Sequence, residues 1–591
     1  MSKQVELEKP QATAATSKRL LQLLLQQRQK FLVILTSALC FALLMAVTPL
    51  LLGWGLDQLI HLIKTGTTNE LLTVLKAPLF ALLGCWLAIS LFSFLQENTM
   101  ASVSETLTLT LRKELTAKLN RLPMQFYDTY KTGDLLTRAT LDLDKVSEVL
   151  QVGLMQLITA VFSIAIGFGL MLFISPWLTA GILVLLVGSS LLTRFLAAKN
   201  QHYFAENQRT LGAVGAQAEE YFTGNLLIKT FNQQEQVKAK MAALNDAQYE
   251  AFKKAQFVSY AINPLIRLVN QLGFVVSAVV GGNLVLQGNL TIGVLQAYLQ
   301  YVNQVSEPIT QAAYVINSLQ SALAALERIF EILDLPEEKQ EAAQPLPDLK
   351  GEVRFQHVAF AYQADKPLMT DVSFTAQPQQ TVAVVGPTGA GKTTLINLLM
   401  RFYEVTGGQI LLDGQDTRQF SRADLRRHFG MVLQDTWLFE GTVAENIAYG
   451  KPAAIRSEIV TAAKKAQCDH FIRTLPQGYD TVISGDGTAI SQGQQQLLTI
   501  ARAILADPQL LILDEATSSV DTRTEKLIQR AMAQLTQART SFVIAHRLST
   551  IENADLILVM QNGDIIEQGT HQELMQKQSF YANLYNSQFA V

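Results

Sequence analysis

The first half of the chain is organised by long apolar runs. Stretches of about 20 residues, enough to cross a bilayer, recur six times, near 31–53, 77–97, 150–174, 177–197, 258–284 and 291–312. The connections between them are uneven. Those after the first, third and fifth stretches are short or modest (54–76, Ser175-Pro176 and 285–290), whereas 98–149 and 198–257 are long. The long connections carry the basic residues, among them Arg112, Lys113, Lys118, Arg121, Lys131, Arg138 and Lys145 in one and Lys199, Arg209, Lys229, Lys238, Lys240, Lys253 and Lys254 in the other. The opposite side shows only Lys64 and Lys76. Excess Lys and Arg mark the cytoplasmic side, so both long connections and both termini are expected there. Few glycines or prolines interrupt these connections, which predicts helices continuing out of the membrane rather than loose loops.

The pattern changes after residue 333. Residues 334–350 (DLPEEKQEAAQPLPDLK) are acidic, hold prolines and lack apolar periodicity, as a linker does. From Gly351 onward short apolar runs, Val382–Val385, Gly430–Leu433, Leu510–Leu513 and Ser541–Ile544, alternate with helical stretches. This predicts an α/β domain around a largely parallel sheet. The expected organisation is therefore a cytoplasmic N-terminal segment 1–30, a six-helix all-α membrane domain 31–333, a linker 334–350 and a cytoplasmic α/β P-loop NTPase domain 351–591.

The first apolar run of the second half leads into Gly386-Pro387-Thr388-Gly389-Ala390-Gly391-Lys392-Thr393, followed by Thr394. Strand, glycine loop, Lys-Thr and helix make a P-loop. Its amides point at phosphate oxygens, Lys392 adds charge at the β- and γ-phosphates, and Thr393 offers a hydroxyl to Mg²⁺. Leu510–Leu513 ends in Asp514-Glu515, an apolar strand closed by two carboxylates. Asp514 is expected to support Mg²⁺ through water, and Glu515 to polarise the attacking water. ATP and Mg²⁺ are the implied ligands.

Beyond Gly351 the chain resembles the nucleotide-binding domain of ATP-binding cassette (ABC) transporters over essentially its whole length. The resemblance implies that Tyr362 stacks on adenine. It makes Gln434 the Q-loop residue that touches Mg²⁺ and the membrane domain, and Ser491-Gln492-Gly493-Gln494 the signature that binds the partner's ATP. Ser518-Ser519-Val520-Asp521 matches the D-loop, and His546 the switch histidine at the γ-phosphate. In the first half, Pro123, Phe126, Tyr127, Asp128, Gly133, Asp134, Leu135 and Arg138 resemble the first intracellular loop of six-span exporters, where a short coupling helix docks on an ATPase domain. Glu219, Gly224 and Lys229-Thr230-Phe231 resemble the second such loop. Six spans ahead of one cassette is the half-transporter layout, which implies a dimer, because ATP is sandwiched between one cassette's P-loop and the other's signature.

Two segments depart from the family pattern. Ile490-Ser491-Gln492-Gly493-Gln494 stands where L-S-G-G-Q is usual, and Ser484-Gly485-Asp486-Gly487 where G-E-R-G is usual. In heterodimeric exporters, including bacterial multidrug half-transporters, one subunit keeps the catalytic glutamate beside a deviant signature, and its partner has the reverse. This chain resembles the first kind. The alternative is a homodimer that tolerates Gln492.

Substrate signals are fewer. Asn263, Arg267, Asn270 and Gln271 lie in the fifth stretch, and Gln300, Asn303, Gln304, Glu307 and Gln311 in the sixth. At about 1.5 Å per residue, Arg267 and Glu307 fall roughly 27 and 24 Å from the outer ends of their stretches. That favours a polar, inward-open cavity around Arg267, Asn270, Gln304 and Glu307, or alternatively an Arg–Glu structural pair or helices reaching beyond lipid. Nearly half of the residues (49%) are hydrophobic and 16% are charged, which fits a membrane protein, and a net charge of −3 makes no case for nucleic acid. Cys40, Cys85 and Cys468 are scattered without metal-ligand spacing. The polar first 30 residues predict neither a cleaved signal peptide nor room for a peptidase domain, which disfavours a self-trimming peptide exporter. The function expected is multidrug efflux of amphipathic small molecules across a bacterial cell membrane. A lipid flippase, a peptide exporter and an ATP-gated regulatory module are the competing readings.

Overall fold

The computed structural model describes residues 13–65, 71–338, 349–483, 490–514, 521–545 and 548–588. Its residues form two compact units. One takes the chain up to Asn120 together with Lys131–Leu335; the other takes Arg121–Tyr130 together with the chain from Pro336.

The first unit is helical. The polar N-terminal segment forms α1 (Thr13–Leu25), ahead of α2 (Arg28–Thr65) and α3 (Leu71–Leu119). The short α4 (Met124–Thr129) belongs to the other unit. Next come α5 (Thr132–Ala139), α6 (Leu141–Glu148), a π-helical stretch Val149–Leu154 and α7 (Met155–Ile174). They are followed by α8 (Pro176–Thr223), α9 (Asn225–Thr230), α10 (Gln234–Leu286) and α11 (Ile292–Leu333). Helices α3, α8 and α10 run well past their apolar stretches. The break between α7 and α8 is local: Ser175 is extended and Pro176 opens the next helix, where its missing N–H costs nothing.

Among the described residues, five helical segments are long and apolar enough to cross a membrane. The sixth expected span lies in α11 and is not among them. Gln300, Asn303, Gln304, Glu307 and Gln311 interrupt its apolar surface, and it is held instead by buried tyrosines. Tyr298 and Tyr301 have no exposed surface; Tyr301 donates its hydroxyl to the Ala46 carbonyl of α2, and Tyr298 shares a 3.3 Å hydrogen bond with Thr179 of α8. Without a partner, a phenol at this depth would leave a polar group in hydrocarbon.

At their outer ends α2 and α11 meet through glycines: a Cβ on Gly53 would lie 2.3 Å from the Gly293 carbonyl oxygen. Asp57 accepts from the Gly293 amide (2.8 Å) and the Thr291 hydroxyl (2.6 Å), so a carboxylate caps the start of α11. At the other end, Asp142 of α6, almost wholly buried, takes a two-pronged hydrogen bond from Arg328 of α11 (2.9 and 2.5 Å). Arg138 of α5 reaches Glu331 at 2.8 Å and the Arg328 carbonyl at 3.2 Å. Arg19 of α1 pairs with Asp334 (2.9 and 2.8 Å) and lies over the Phe330 ring.

The second unit is α/β. A six-stranded sheet runs in the order Asp564–Gly569, Leu556–Gln561, Thr381–Val385, Thr540–Ile544, Leu510–Asp514, Phe429–Val432. All neighbours are parallel except the first pair. The central strands are covered on both faces, which is why they read as unbroken apolar runs. A four-stranded antiparallel sheet, Met369–Ala376, Val353–Phe360, Gly407–Leu412 and Gln415–Asp416, lies across one core. Phe355, Phe374, Leu395, Leu399 and Phe542 fill the space between the sheets.

Candidate nucleotide-binding site

The site is built at the carboxyl ends of the parallel strands, where an open α/β sheet binds its ligands. Strand Thr381–Val385 feeds the glycine loop, and helix Lys392–Leu399 starts directly after Gly391. Gly386, Gly389 and Gly391 all have positive φ (+154°, +81° and +101°). At Gly386 a Cβ would meet the Met560 carbonyl oxygen at 2.3 Å, so no other residue fits there. Around Gly389 nothing lies within 4 Å of the Cβ position. That is the open side of the loop, where amides can face a phosphate.

The Lys392 ammonium donates to the Gly386 and Pro387 carbonyls (2.7 and 3.0 Å). Burial pulls it below the ordinary lysine range, and the Asp514 charge works against that pull. Asp514 ends strand Leu510–Asp514, in register with Ile544 on the strand lying between it and the P-loop strand. Thr393 is exposed; Thr394 is buried and shares a 3.0 Å hydrogen bond with the Tyr362 hydroxyl. The Tyr362 ring is 41% exposed and stands edge-on to Phe360 and Tyr403, at 4.8 and 5.0 Å between centroids. That exposure leaves part of the side chain accessible to a ligand. Gln434 is exposed just beyond strand Phe429–Val432. This donor set fits a nucleoside triphosphate with magnesium: loop amides and an ammonium for phosphates, the hydroxyl of Thr393 with Asp514 and Gln434 for a hard cation, and an aromatic face for a base. Glu515, Ser518–Val520, His546 and the segment 484–487 lie outside the described residues.

The signature opens helix Gln492–Ala506. Ser491 is its N-cap, accepting from the Gln494 amide (3.3 Å), and the Gln494 side chain accepts from the Ser491 amide (3.0 Å). This capping box fixes the first turn. Gly493 is buried, while Gln492 sits exposed at the first helical position. Gln495 accepts from Thr436, two residues beyond Gln434 (3.1 Å), and Arg502 donates to the Trp437 carbonyl (3.2 Å). The Q-loop and the signature helix are thus tied together, a link with no sequence signal. Asp521 caps helix Thr522–Thr536 through the amides of Arg523 and Thr524 (3.0 Å each), and bonds from Thr524 lead in holding its carboxyl below the usual range.

The predicted coupling residues also lie in this unit. Phe126 of α4 is buried, 4.6 Å between centroids from Tyr130 and 5.2 Å from Tyr127, which is 40% exposed. Asp128 accepts a hydrogen bond from Tyr403. Burial first, and then that bond, push the Tyr403 phenol up. Three residues before the start of α4, the Arg121 carbonyl accepts from the Glu338 amide (2.9 Å), and Glu338 pairs with Arg426 (3.2 Å).

The predicted cavity residues are dispersed. Arg267 of α10 is exposed, makes no hydrogen bond or ion pair among the described residues, and so forms no pair with Glu307. Glu307 accepts from Gln311 (3.4 Å), which in turn accepts from Gln156. Asn270 and Gln304 are half-buried on α10 and α11. None of the four lines the cavity of about 500 Å³ that opens between α7, α8 and α11. Among the described residues that line it, the one charged residue is Arg194, which the hydropathy pattern hides inside an apolar stretch.

Comparison with known proteins adds to this geometry. The family described as ABC transporter transmembrane region matches residues 31–309, and the family described as ABC transporter matches 369–518. A fatty acid ABC transporter ATP-binding/permease protein of Mycobacterium tuberculosis is 47% identical over 84% of this chain and 79% of its own length. An uncharacterized ABC transporter ATP-binding protein of Bacillus subtilis is 38% identical over 98% of this chain and 95% of its own. Among solved structures, a bacterial Atm1-family ABC exporter with ATP bound superposes with a TM-score of 0.76 at 28% identity, over 95% of this chain and 99% of the other.

Proposed function

Because the chain belongs to the ABC transporter family, as a half-transporter joining a membrane region to an ATPase, we propose that it exports amphipathic small molecules across the cell membrane, with both termini cytoplasmic. In this reading it works as one half of a heterodimer. The coarser statement, an ATPase coupled to transmembrane transport, follows from the family itself. The observation that carries the finer reading is the P-loop with Lys392 set within the field of Asp514, in the same unit as α4, the short helix contributed by the membrane half of the sequence.

The roles follow from the chemistry. The loop amides from Gly386 to Gly391, with Lys392, hold the phosphates of ATP. Thr393, Asp514 and Gln434 would hold Mg²⁺, which neutralises phosphate charge when bound. Tyr362, 41% exposed, stacks on adenine. Glu515 orients water against the γ-phosphate and His546 senses that phosphate. Asp521 and the signature Ser491–Gln494 act on the nucleotide of the partner cassette. Exposed Phe222, Leu226, Leu227 and Phe231 around α9, together with exposed Leu433, Trp437, Phe439 and Tyr449 beside the Q-loop, support a second subunit. The heterodimer rests on Gln492, a side chain at the first turn of a helix whose backbone must approach phosphate.

The relative named for fatty acids favours a lipid-like substrate over a polar one. The test is ATP-dependent uptake of an amphipathic dye by inverted vesicles containing this chain, alone and with a subunit bearing an L-S-G-G-Q signature. Uptake by the pair at several times the rate of the single chain is expected. Hydrolysis without uptake in either case would point to an ATP-gated module.

A further inference from the structure

We propose that the cavity between α7, α8 and α11 is a binding site for a single-chain anionic amphiphile, a long-chain fatty carboxylate, with Arg194 as its head-group residue. Resting on the reading of the chain as an amphiphile exporter, the proposal names the substrate class and the site that takes it.

On α8, Leu183, Val187, Leu191 and Arg194 all line the cavity. Their spacings of four, four and three residues put them on one face of the helix. That face is an apolar track about 16 Å long ending in a guanidinium. Phe168 of α7 and Ile309 of α11 close other sides, and among the described residues no acidic one belongs to the lining. The volume, about 500 Å³, falls in the range of pockets for one small ligand, about 300–1,000 Å³. It suits one acyl chain better than a phospholipid with two.

Arg194 decides the sign of the ligand. It lies 18 residues into α8 from Pro176, hence about 27 Å from the outer end, near the inner boundary of a hydrocarbon core about 30 Å thick. Among the described residues it makes no hydrogen bond or ion pair. An intramembrane arginine normally has a partner on the protein or reaches one outside it. Here the described residues supply none, and the apolar track leads away from the guanidinium into the bilayer. A carboxylate on an acyl chain meets both demands at once. It pairs with the fork of Arg194 in an environment that strengthens charge-assisted hydrogen bonds, and its tail lies along Leu191, Val187 and Leu183.

The experiment measures equilibrium binding of radiolabelled palmitate to the full chain in phosphatidylcholine nanodiscs, with Arg194→Gln, Arg194→Lys and Val187→Trp beside the wild type. Competitors are methyl palmitate, hexadecyltrimethylammonium and a dilauroyl phosphatidylglycerol. Saturable binding is expected to weaken about tenfold or more in Arg194→Gln and in Val187→Trp, which fills the track, and to survive within about threefold in Arg194→Lys. The ester and the cation should compete at least about tenfold worse than palmitate. Unchanged affinity in Arg194→Gln, or equal competition by the ester, overturns the proposal and leaves Arg194 as an interfacial anchor. Competition by the phosphatidylglycerol equal to that of palmitate also overturns it, in favour of a phospholipid. Dye uptake by wild-type vesicles separates the two readings. Uptake without palmitate binding sinks the site and leaves the exporter standing; palmitate binding without uptake of dye or palmitate supports the site and sinks the exporter.

Discussion

Asp128 and Tyr403 share a hydrogen bond, and the Tyr403 ring stands edge-on 5.0 Å from Tyr362. The carboxylate comes from the short helix of the membrane half of the sequence. The second tyrosine is the one proposed to stack on a base. On the proposed role of Tyr362, Tyr403 is the one side chain between α4 and the base position.

Tyr403→Phe keeps the ring contacts and removes the hydroxyl. One hydrogen bond to a largely exposed carboxylate contributes about 1 kcal/mol, so substrate transport should fall about fivefold while basal ATPase changes less than twofold. Asp128→Asn should do the same. Paired transport and ATPase assays on one reconstituted sample check this, and parallel loss of both activities would exclude a coupling role.

Burial separates the two neighbouring aromatics. Phe126 is 6% exposed and Tyr127 40%. Phe126→Ala should cost about 3 kcal/mol or more of local packing and uncouple transport from hydrolysis, whereas Tyr127→Ala should have a milder effect in the same direction. The ratio of substrate moved to phosphate released is the quantity to measure.

In the catalytic set, Glu515→Gln should slow hydrolysis by about 10²–10⁴-fold, the worth of a general base, with ATP affinity retained. Lys392→Ala should weaken nucleotide binding itself by about tenfold or more, because it removes a charge-assisted contact. Binding of a fluorescent ATP analogue, measured beside turnover, tells the two losses apart.

Gln492→Gly tests the signature. If the added side chain holds the backbone away from phosphate, glycine should raise the ATPase rate of this chain purified alone severalfold. No change, with full substrate-stimulated ATPase already present in the single chain, would show that Gln492 is tolerated and that a homodimer suffices.

Asp142→Asn leaves Arg328 facing a neutral amide. Breaking a buried pair costs about 3–5 kcal/mol, and an Arg328 side chain 32% exposed reduces that to about 2–3 kcal/mol. The apparent melting temperature in detergent should drop by about 5 °C. Arg328→Lys, which keeps the charge but not the fork, should lie between wild type and Asp142→Asn.

By itself, the sequence determined what periodicity and local chemistry can encode: the helical first half, the α/β second half, the strands ending at Val385 and Asp514, and the glycine loop with Lys392. These features depend on neighbours a few residues away, so they are written in the order of residues. The tertiary structure decided what depends on distant partners. It set Asp128 against Tyr403, Thr436 against Gln495 and Asp142 against Arg328, pairings 275, 59 and 186 residues apart, which no local pattern records. It also left Arg267 and Glu307 unpaired with each other and put Arg194 in the cavity instead. A polar residue's place on its helix is legible from spacing, but the face it shares with other helices is set by how bulky residues such as Tyr298 and Tyr301 pack, and that is a property of the assembled bundle.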